Sequence, residues 1–201
     1  LNLGPPRAVL VPVTTPSPPD DLADALRAGD RSTFERLVRE HQRAVFFHAI
    51  RLARGDAELA RDVAQRTFLR AWAQRATFRG ESSARTWLLA IAHNLALNEV
   101  QRAHRRREVV PTDADGEPQS VGRVEGDAME RLIGAQERWA LRDAMDRLTA
   151  RQREVALLRI YEDLSFAEIS EIVGISANNA KVAFHHATQA LRRLLSTGGA
   201  A

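Results

Sequence analysis

LSFAEISEIVGISANNAKVAFHHATQALRRLL, from Leu164 to Leu195, is the stretch that decides the fold. Ser165 followed by Glu168 is the pattern of a capping box, in which each side chain satisfies a free backbone N–H of a helix's first turn. Phe166, Ile169, Ile172 and Val173 recur at helical spacing, and Gly174 stands where a chain leaving a helix needs a positive φ. Ser176 is placed to cap a second helix, whose Ala180, Phe184, Ala187, Leu191 and Leu194 fall on one stripe. Asn178, Asn179, Lys181, His185, His186 and Gln189 lie largely outside it. Two capped helices joined by a glycine turn, the second with a polar face, are the layout of a helix-turn-helix whose second helix reaches a major groove.

Upstream, Thr149 with Gln152 makes another capping box, opening a helix of Val155 to Tyr161, and an earlier helix runs through Trp139, Leu141, Met145 and Leu148. Val109 to Val124 holds Pro111, Asp113, Gly116, Pro118 and Gly122 without periodicity and reads as a linker. From Asp20 to Arg107 the pattern is helical throughout. A short helix near Asp21 to Ala28 ends at Gly29. Ser32 and Glu35 offer a further capping box, ahead of a stripe of Phe34, Leu37, Val38, His41, Val45, Ile50 and Leu52. Gly55 and Asp56 break and restart the chain. Leu59, Val63, Phe68, Leu69 and Trp72 carry the next helix, and a loop around Phe78 to Ser83 leads to one from about Ala84 to Arg106. No strand pattern competes. The expectation is an all-α protein of two small helical domains joined by a flexible linker. A disordered tail covers 1–19, which holds six of the eight prolines; the first domain is 20–108, the acidic linker 109–137, the second domain 138–196 and a short tail 197–201.

In 201 residues, 44% hydrophobic and 27% charged, there is room for buried cores. No apolar run approaches the roughly 20 residues of a membrane span, and no secretory signal is evident, so a cytoplasmic protein without membrane insertion is expected. The absence of cysteine excludes disulfides, thiolate catalysis and cysteine-ligated zinc in this chain. The adjacent His185 and His186 diverge by about 100° on a helix, and no H-E-x-x-H spacing occurs. No catalytic residues, metal or cofactor are expected, and the protein is read as not an enzyme. The net charge of +3 is unevenly spread: residues 31–108 carry 16 arginines against eight acids, whereas residues 109–137 carry two against seven. A basic block followed by an acidic connector suits a polyanion-binding domain tied to a second domain.

Three blocks carry a family resemblance. DAELARDVAQRTFLRAWAQ (56–74), FRGESSARTWLLAIAHNLALNEVQRAHRRR (78–107) and LTARQREVALLRIYEDLSFAEISEIVGIS (148–176), in this order and with a linker between, resemble the bacterial RNA polymerase sigma factors of the extracytoplasmic-function (ECF) type. The resemblance implies sigma region 2, region 4 and the linker between them, with core RNA polymerase, promoter DNA and an anti-sigma factor as partners. In the first block it implies core polymerase contacts at Asp62, Gln65, Arg66 and Phe68; at helical spacing Phe68 and Trp72 also fit a core. In the second it implies capture of a flipped base of the minus-ten element by the polar loop Arg79, Gly80, Glu81, Ser82 and Ser83. Asn94 and Asn98 share a helix face with that role, and Arg102, Arg105 and Arg106 extend it, whereas Trp87 beside Leu88 and Ile91 reads as core. In the third it implies minus-thirty-five contacts from Lys181, Val182, His185 and His186, a phosphate contact from Arg159, and Asn178 and Asn179 on the same face. Many members carry arginine at positions 183 and 186 and threonine at 179, so the preferred bases do not transfer. The rival is a helix-turn-helix regulator that is not a polymerase subunit; residues 31–108 lack the strand alternation and acidic cluster of a receiver domain.

Histidine in place of a permanent cation generates a prediction. Imidazole changes charge near neutral pH, and a neighbouring phosphate favours the charged form. Affinity of the polymerase-bound protein for DNA bearing a minus-thirty-five element is expected to rise from about pH 8 to about pH 6, through proton uptake on binding. Competition binding at fixed ionic strength checks this, with the double change of His185 and His186 to Gln flattening the dependence.

Overall fold

The computed structural model describes residues 18–109 and 135–198, and within them the side chains of residues 22–102, 105 and 140–196. The described residues form eight α-helices and no strand: α1 (Pro18–Arg27), α2 (Arg31–Leu52), α3 (Ala57–Ala73), α4 (Ala84–Val109), α5 (Ala135–Asp146), α6 (Ala150–Ile160), α7 (Phe166–Val173) and α8 (Ala177–Gly198), with a 3₁₀ turn at Arg75–Thr77. Most of the expected tail and linker lies outside the described residues. Helix α1 begins at Pro18, inside the stretch expected as tail, because a proline at a helix start loses no hydrogen bond and already has a helical φ.

Local chemistry sets the helix ends. Both capping boxes expected in the second half are present: Thr149 with Gln152 opens α6, and Ser165 with Glu168 opens α7. Gly174 ends α7 at φ +70°, with nothing near the position of a missing Cβ, so the backbone angle rather than crowding calls for glycine. The box expected at Ser32 does not cap α2. Asp30 does, its carboxylate accepting from the Ser32 N–H at 3.1 Å and from the Thr33 hydroxyl at 2.6 Å. Those bonds, led by that from Thr33, hold the Asp30 carboxyl below its ordinary pKa. An aspartate two residues before the serine thus starts the helix earlier. Asp56 caps α3 in the same way, accepting from the Leu59 N–H at 2.9 Å.

Helices α2, α3 and α4 pack around Leu37, Val45, Ala71, Leu88 and Ala92, and α1 closes one end with Ala23 and Leu26 against Phe78. Helices α6 to α8 enclose Val155, Leu158, Leu164, Ile169, Ile172 and Ala180, together with Leu89 from α4. A further core joins Ala49, Leu52, Val63, Leu95 and Ala96 of the first half to Met145, Leu148, Leu157, Ala187 and Leu191 of the second. The two halves therefore share buried surface, in addition to the linker expected to join them. The reason lies in α4, whose Leu88 and Leu89 are adjacent in sequence, both fully buried, and packed into different cores. A helix buried on two sides has no single apolar stripe.

At the heart of the molecule His48 Nε2 stands 3.3 Å from His93 Nδ1, with the rings stacked at 5.5 Å. His93 is 1% exposed, and burial, with smaller effects from His48 and Arg151, pulls its pKa down to about 3. Below pH 6.5 the unfolded chain takes up a proton here that the native chain refuses until about pH 3. Stability present above the unfolded pKa is therefore lost as pH falls, at about 1.4 kcal/mol per pH unit. Burial lowers the His41 pKa too, in the same direction. Denaturant melts are expected to show a loss of about 2 kcal/mol between pH 6.5 and pH 5, before the carboxylates titrate, and His93→Gln is expected to remove much of that slope.

Candidate nucleic-acid and partner interfaces

Ser176 starts α8 by accepting from the Asn179 N–H at 3.1 Å. With Ala180 and Ala187 fully buried and Leu191 nearly so, the helix can present only its other face. Asn178, Asn179, Lys181, Val182, His185 and His186 are all exposed on it. The His185 ring pairs with the Gln189 amide at 2.9 Å, and the His185 and His186 rings stand 6.0 Å apart. Arg159 is placed differently. It donates to the Leu164 carbonyl at 2.9 Å and lies 5.5 Å over the Phe166 ring, so part of its guanidinium holds the turn between α6 and α7.

The loop ahead of α4 is anchored by Ser83, whose hydroxyl accepts from the Thr86 N–H at 3.0 Å, and it turns at Gly80 with φ +75°. Arg79 and Glu81 are well exposed and 3.9 Å apart. This loop, Gly80 to Ser83, lines a cleft of about 530 Å³ with Ala167, Glu168 and Glu171 of α7. The Glu168 carboxyl is held below its ordinary pKa, chiefly by the Ser165 N–H and further by Thr86, so the cleft carries fixed negative charge. Along α4, Asn94, Asn98, Arg102 and Arg105 are exposed, as the i,i+4 spacing of the asparagines requires. Asn94 donates to the Ala90 carbonyl and Arg102 to Glu99 at 2.7 Å. Arg106 continues the helix, and its side chain lies outside the described residues.

On α3, Arg66 donates to Asp62 at 3.0 Å and across to Glu99 of α4 at 2.8 Å. Glu99 was not among the residues singled out from sequence; Arg66, and then Arg102, hold its carboxyl below the usual range. Asp62 and Arg66 thus belong to an ion-pair network that also braces α3 against α4. Gln65 and Phe68 face another way, lining a hollow of about 390 Å³ with Phe34, Leu69 and Trp72, rimmed by Arg31 and Glu35. Phe68 is half-buried against the bundle core. Leu69, one of the apolar residues expected to carry this helix, is 63% exposed. The buried face of α3 is set by Ala60, Val63, Thr67 and Ala71, and at about 100° per residue Leu69 falls nearly opposite it. Trp72 packs edge-on to Phe34 with centroids 5.0 Å apart. Among the described residues no group of histidines and carboxylates is arranged to hold a metal, and no helix is long and apolar enough to cross a membrane.

Residues 37–106 match the family model for Sigma-70 region 2, and residues 138–191 match that for Sigma-70, region 4. The ECF RNA polymerase sigma factor SigL of Mycobacterium tuberculosis is 35% identical over 175 residues, spanning 86% of this chain and 94% of SigL. The chain belongs to the ECF sigma factors. RNA polymerase sigma-H factor of Pseudomonas aeruginosa is 30% identical over 182 residues, spanning 87% of this sigma factor and 92% of that relative. Among solved structures, the sigma factor RpoE in complex with the anti-sigma factor NepR from Bartonella quintana has the same fold at a TM-score of 0.66 and 22% identity, covering 81% of this sigma factor and 96% of RpoE. CnrH in complex with the cytosolic domain of CnrY gives 0.62 and 22%, covering 89% and 98%. The sigma factor is thus a promoter-directing subunit for RNA polymerase, with α2 to α4 forming most of region 2 and α5 to α8 forming region 4.

Proposed function

We propose that this sigma factor divides promoter recognition among the surfaces described above. The exposed face of α8 docks on the minus-thirty-five element, with Asn178, Asn179, Lys181, Val182, His185 and His186 nearest the groove and Arg159 adding a phosphate contact. The loop Arg79 to Ser83 receives a flipped minus-ten base. The face of α4 bearing Asn94, Asn98, Arg102, Arg105 and Arg106 carries the separated strand. Core polymerase seats on α3, through Gln65 and Phe68 in the hollow and through Asp62 and Arg66 beside it, and Leu69 joins that set. The observation that carries the reading is the disposition of α8: one face is buried through Ala180, Ala187 and Leu191, and its candidate DNA contacts, Val182 among them, all remain in solvent. Residues 1–19, 109–137 and 197–201 are proposed as tail, linker and tail around domains 20–108 and 138–196. An anti-sigma protein is proposed as the regulating partner and the cytoplasm as the site of action, with no catalysis by the chain itself. Run-off transcription by core enzyme, with and without the sigma factor, on promoter fragments selected by the reconstituted holoenzyme tests the whole reading.

Substitutions on α3 and α4 separate the surfaces. Leu69→Asp is expected to change stability by no more than about 0.5 kcal/mol, as an exposed position should, while weakening capture of core polymerase in a pull-down at least about tenfold. Asn94→Ala, or Ala at both Arg105 and Arg106, is expected to leave that pull-down intact and reduce permanganate reactivity of the minus-ten region in the holoenzyme. Loss of core capture by these folded variants would assign α4 to the polymerase rather than to DNA.

A further inference from the structure

Glu162 lies in the turn between α6 and α7, only 4% exposed, in the half of the molecule that carries the minus-thirty-five surface. The cations that hold it belong to the other half. Arg51 of α2 donates to its carboxylate at 3.2 Å. Arg85 of α4 grips both that carboxylate and the backbone carbonyl of Glu162, the latter at 2.6 Å. His48 Nδ1 stands 3.7 Å from the same carboxylate. The chain turns immediately afterwards at Asp163, whose φ of +51° is left-handed, a conformation aspartate adopts more readily than most residues. Two further bonds cross the same boundary: Thr86 donates to Glu168 at 2.8 Å, and Arg153 to the Arg51 carbonyl at 2.8 Å.

The consequence falls on the loop proposed to capture a base. With the halves joined in this way, the loop opens into a cleft whose carboxylates, Glu81, Glu168 and Glu171, come from both sides. A DNA strand brings one negative charge per nucleotide, and its affinity for protein comes mainly from cations that neutralise phosphates. Here Arg79 in the loop is answered by Glu81 at 3.9 Å, and the arginine next to the loop, Arg85, is taken up by Glu162. The arrangement repels the ligand that the loop is shaped to receive.

We infer that Glu162 is the pin of an autoinhibitory lock between regions 2 and 4, and that its release from Arg51 and Arg85 opens the base-capturing loop to single-stranded DNA. The inhibitory part rests on the proposed role of residues 79–83; the lock itself does not. A closed form that binds DNA poorly lowers the apparent affinity by the fraction of molecules that are open, so weakening the lock should tighten binding.

The chain has no cysteine, so cysteines placed at Gln74 and Ser196, both exposed and outside the lock, take two spin labels cleanly. Pulsed EPR on the full chain is expected to give one narrow distance distribution, and Glu162→Gln to give a broader and longer one. Affinity for a fluorescent random-sequence DNA single strand is expected to rise about five-fold in the same variant. Thr86→Val removes a second crossing bond, and with it the 2.8 Å contact to the Ser83 hydroxyl, while keeping the backbone N–H bond to Ser83 that caps α4, and should shift both readouts the same way by less. Circular dichroism establishes that each variant is folded, and if Glu162→Gln is not, Thr86→Val decides the matter. A broad distribution without any lock substitution, or one that folded lock variants leave unchanged, overturns the lock. Opened variants that bind the strand no better overturn its inhibitory role, whereas the assignment of loop 79–83 falls separately if Arg79→Ala leaves the strand affinity of wild type and opened variants alike unchanged.

Discussion

Helix α4 is the constraint on which the rest of the structure depends. Its Leu88 and Ala92 complete the bundle with α2 and α3, its Leu89 enters the core of α6 to α8, and its Leu95 and Ala96 join the core shared by both halves. Close packing on two sides fixes its rotation, because turning it to improve one contact would withdraw apolar area from another. The residues left over, Asn94, Asn98, Arg102 and Arg105, are therefore held on a rigid exposed face. The proposed role of that face, holding a separated strand, calls for such rigidity.

The buried ionisable groups follow the same logic. Glu99 and Glu162 are the buried carboxylates among the described residues, and each is met by two arginines. A carboxylate taken from water needs such partners, and removing them would leave a charge whose desolvation is uncompensated. Their placement differs in meaning. Glu99 ties α3 to α4 within region 2 through Arg66, bracing the proposed polymerase-facing helix, whereas Glu162 is held across the boundary between regions. His93, with no charged partner of its own, is instead kept neutral by burial.

Several polar residues of the proposed contact surfaces also serve the fold. Arg159 clasps the turn before α7, Asp62 and Arg66 enter the Glu99 network, and Ser83 caps α4 while lining the cleft. Substitutions at these positions mix structural and binding effects. The α8 face is simpler. Lys181, Val182 and His186 stand in solvent, above buried alanines that set their direction.

How much of this was legible in advance follows from the range of the forces involved. Capping, glycine angles and periodicity act over a few residues, so the helix-turn-helix, the caps at Thr149 and Ser165 and the all-helical class could be read directly from the chain. So could the α8 face, because a single well-formed stripe leaves one alternative side. Where two local candidates competed, as Asp30 and Ser32 did for the start of α2, spacing did not rank a carboxylate against a hydroxyl. The exposure of Leu69, the pairing of Arg66 with Glu99 and the contacts of Glu162 were hidden, since each depends on what another helix brings to that point. Glu162 lies 111 residues from Arg51 and 77 from Arg85. The sequence by itself determined which helices form and which polar faces they offer. Only the tertiary structure decided which of those faces meet, because burying α4 on both sides brings the two halves together and turns distant charges into neighbours.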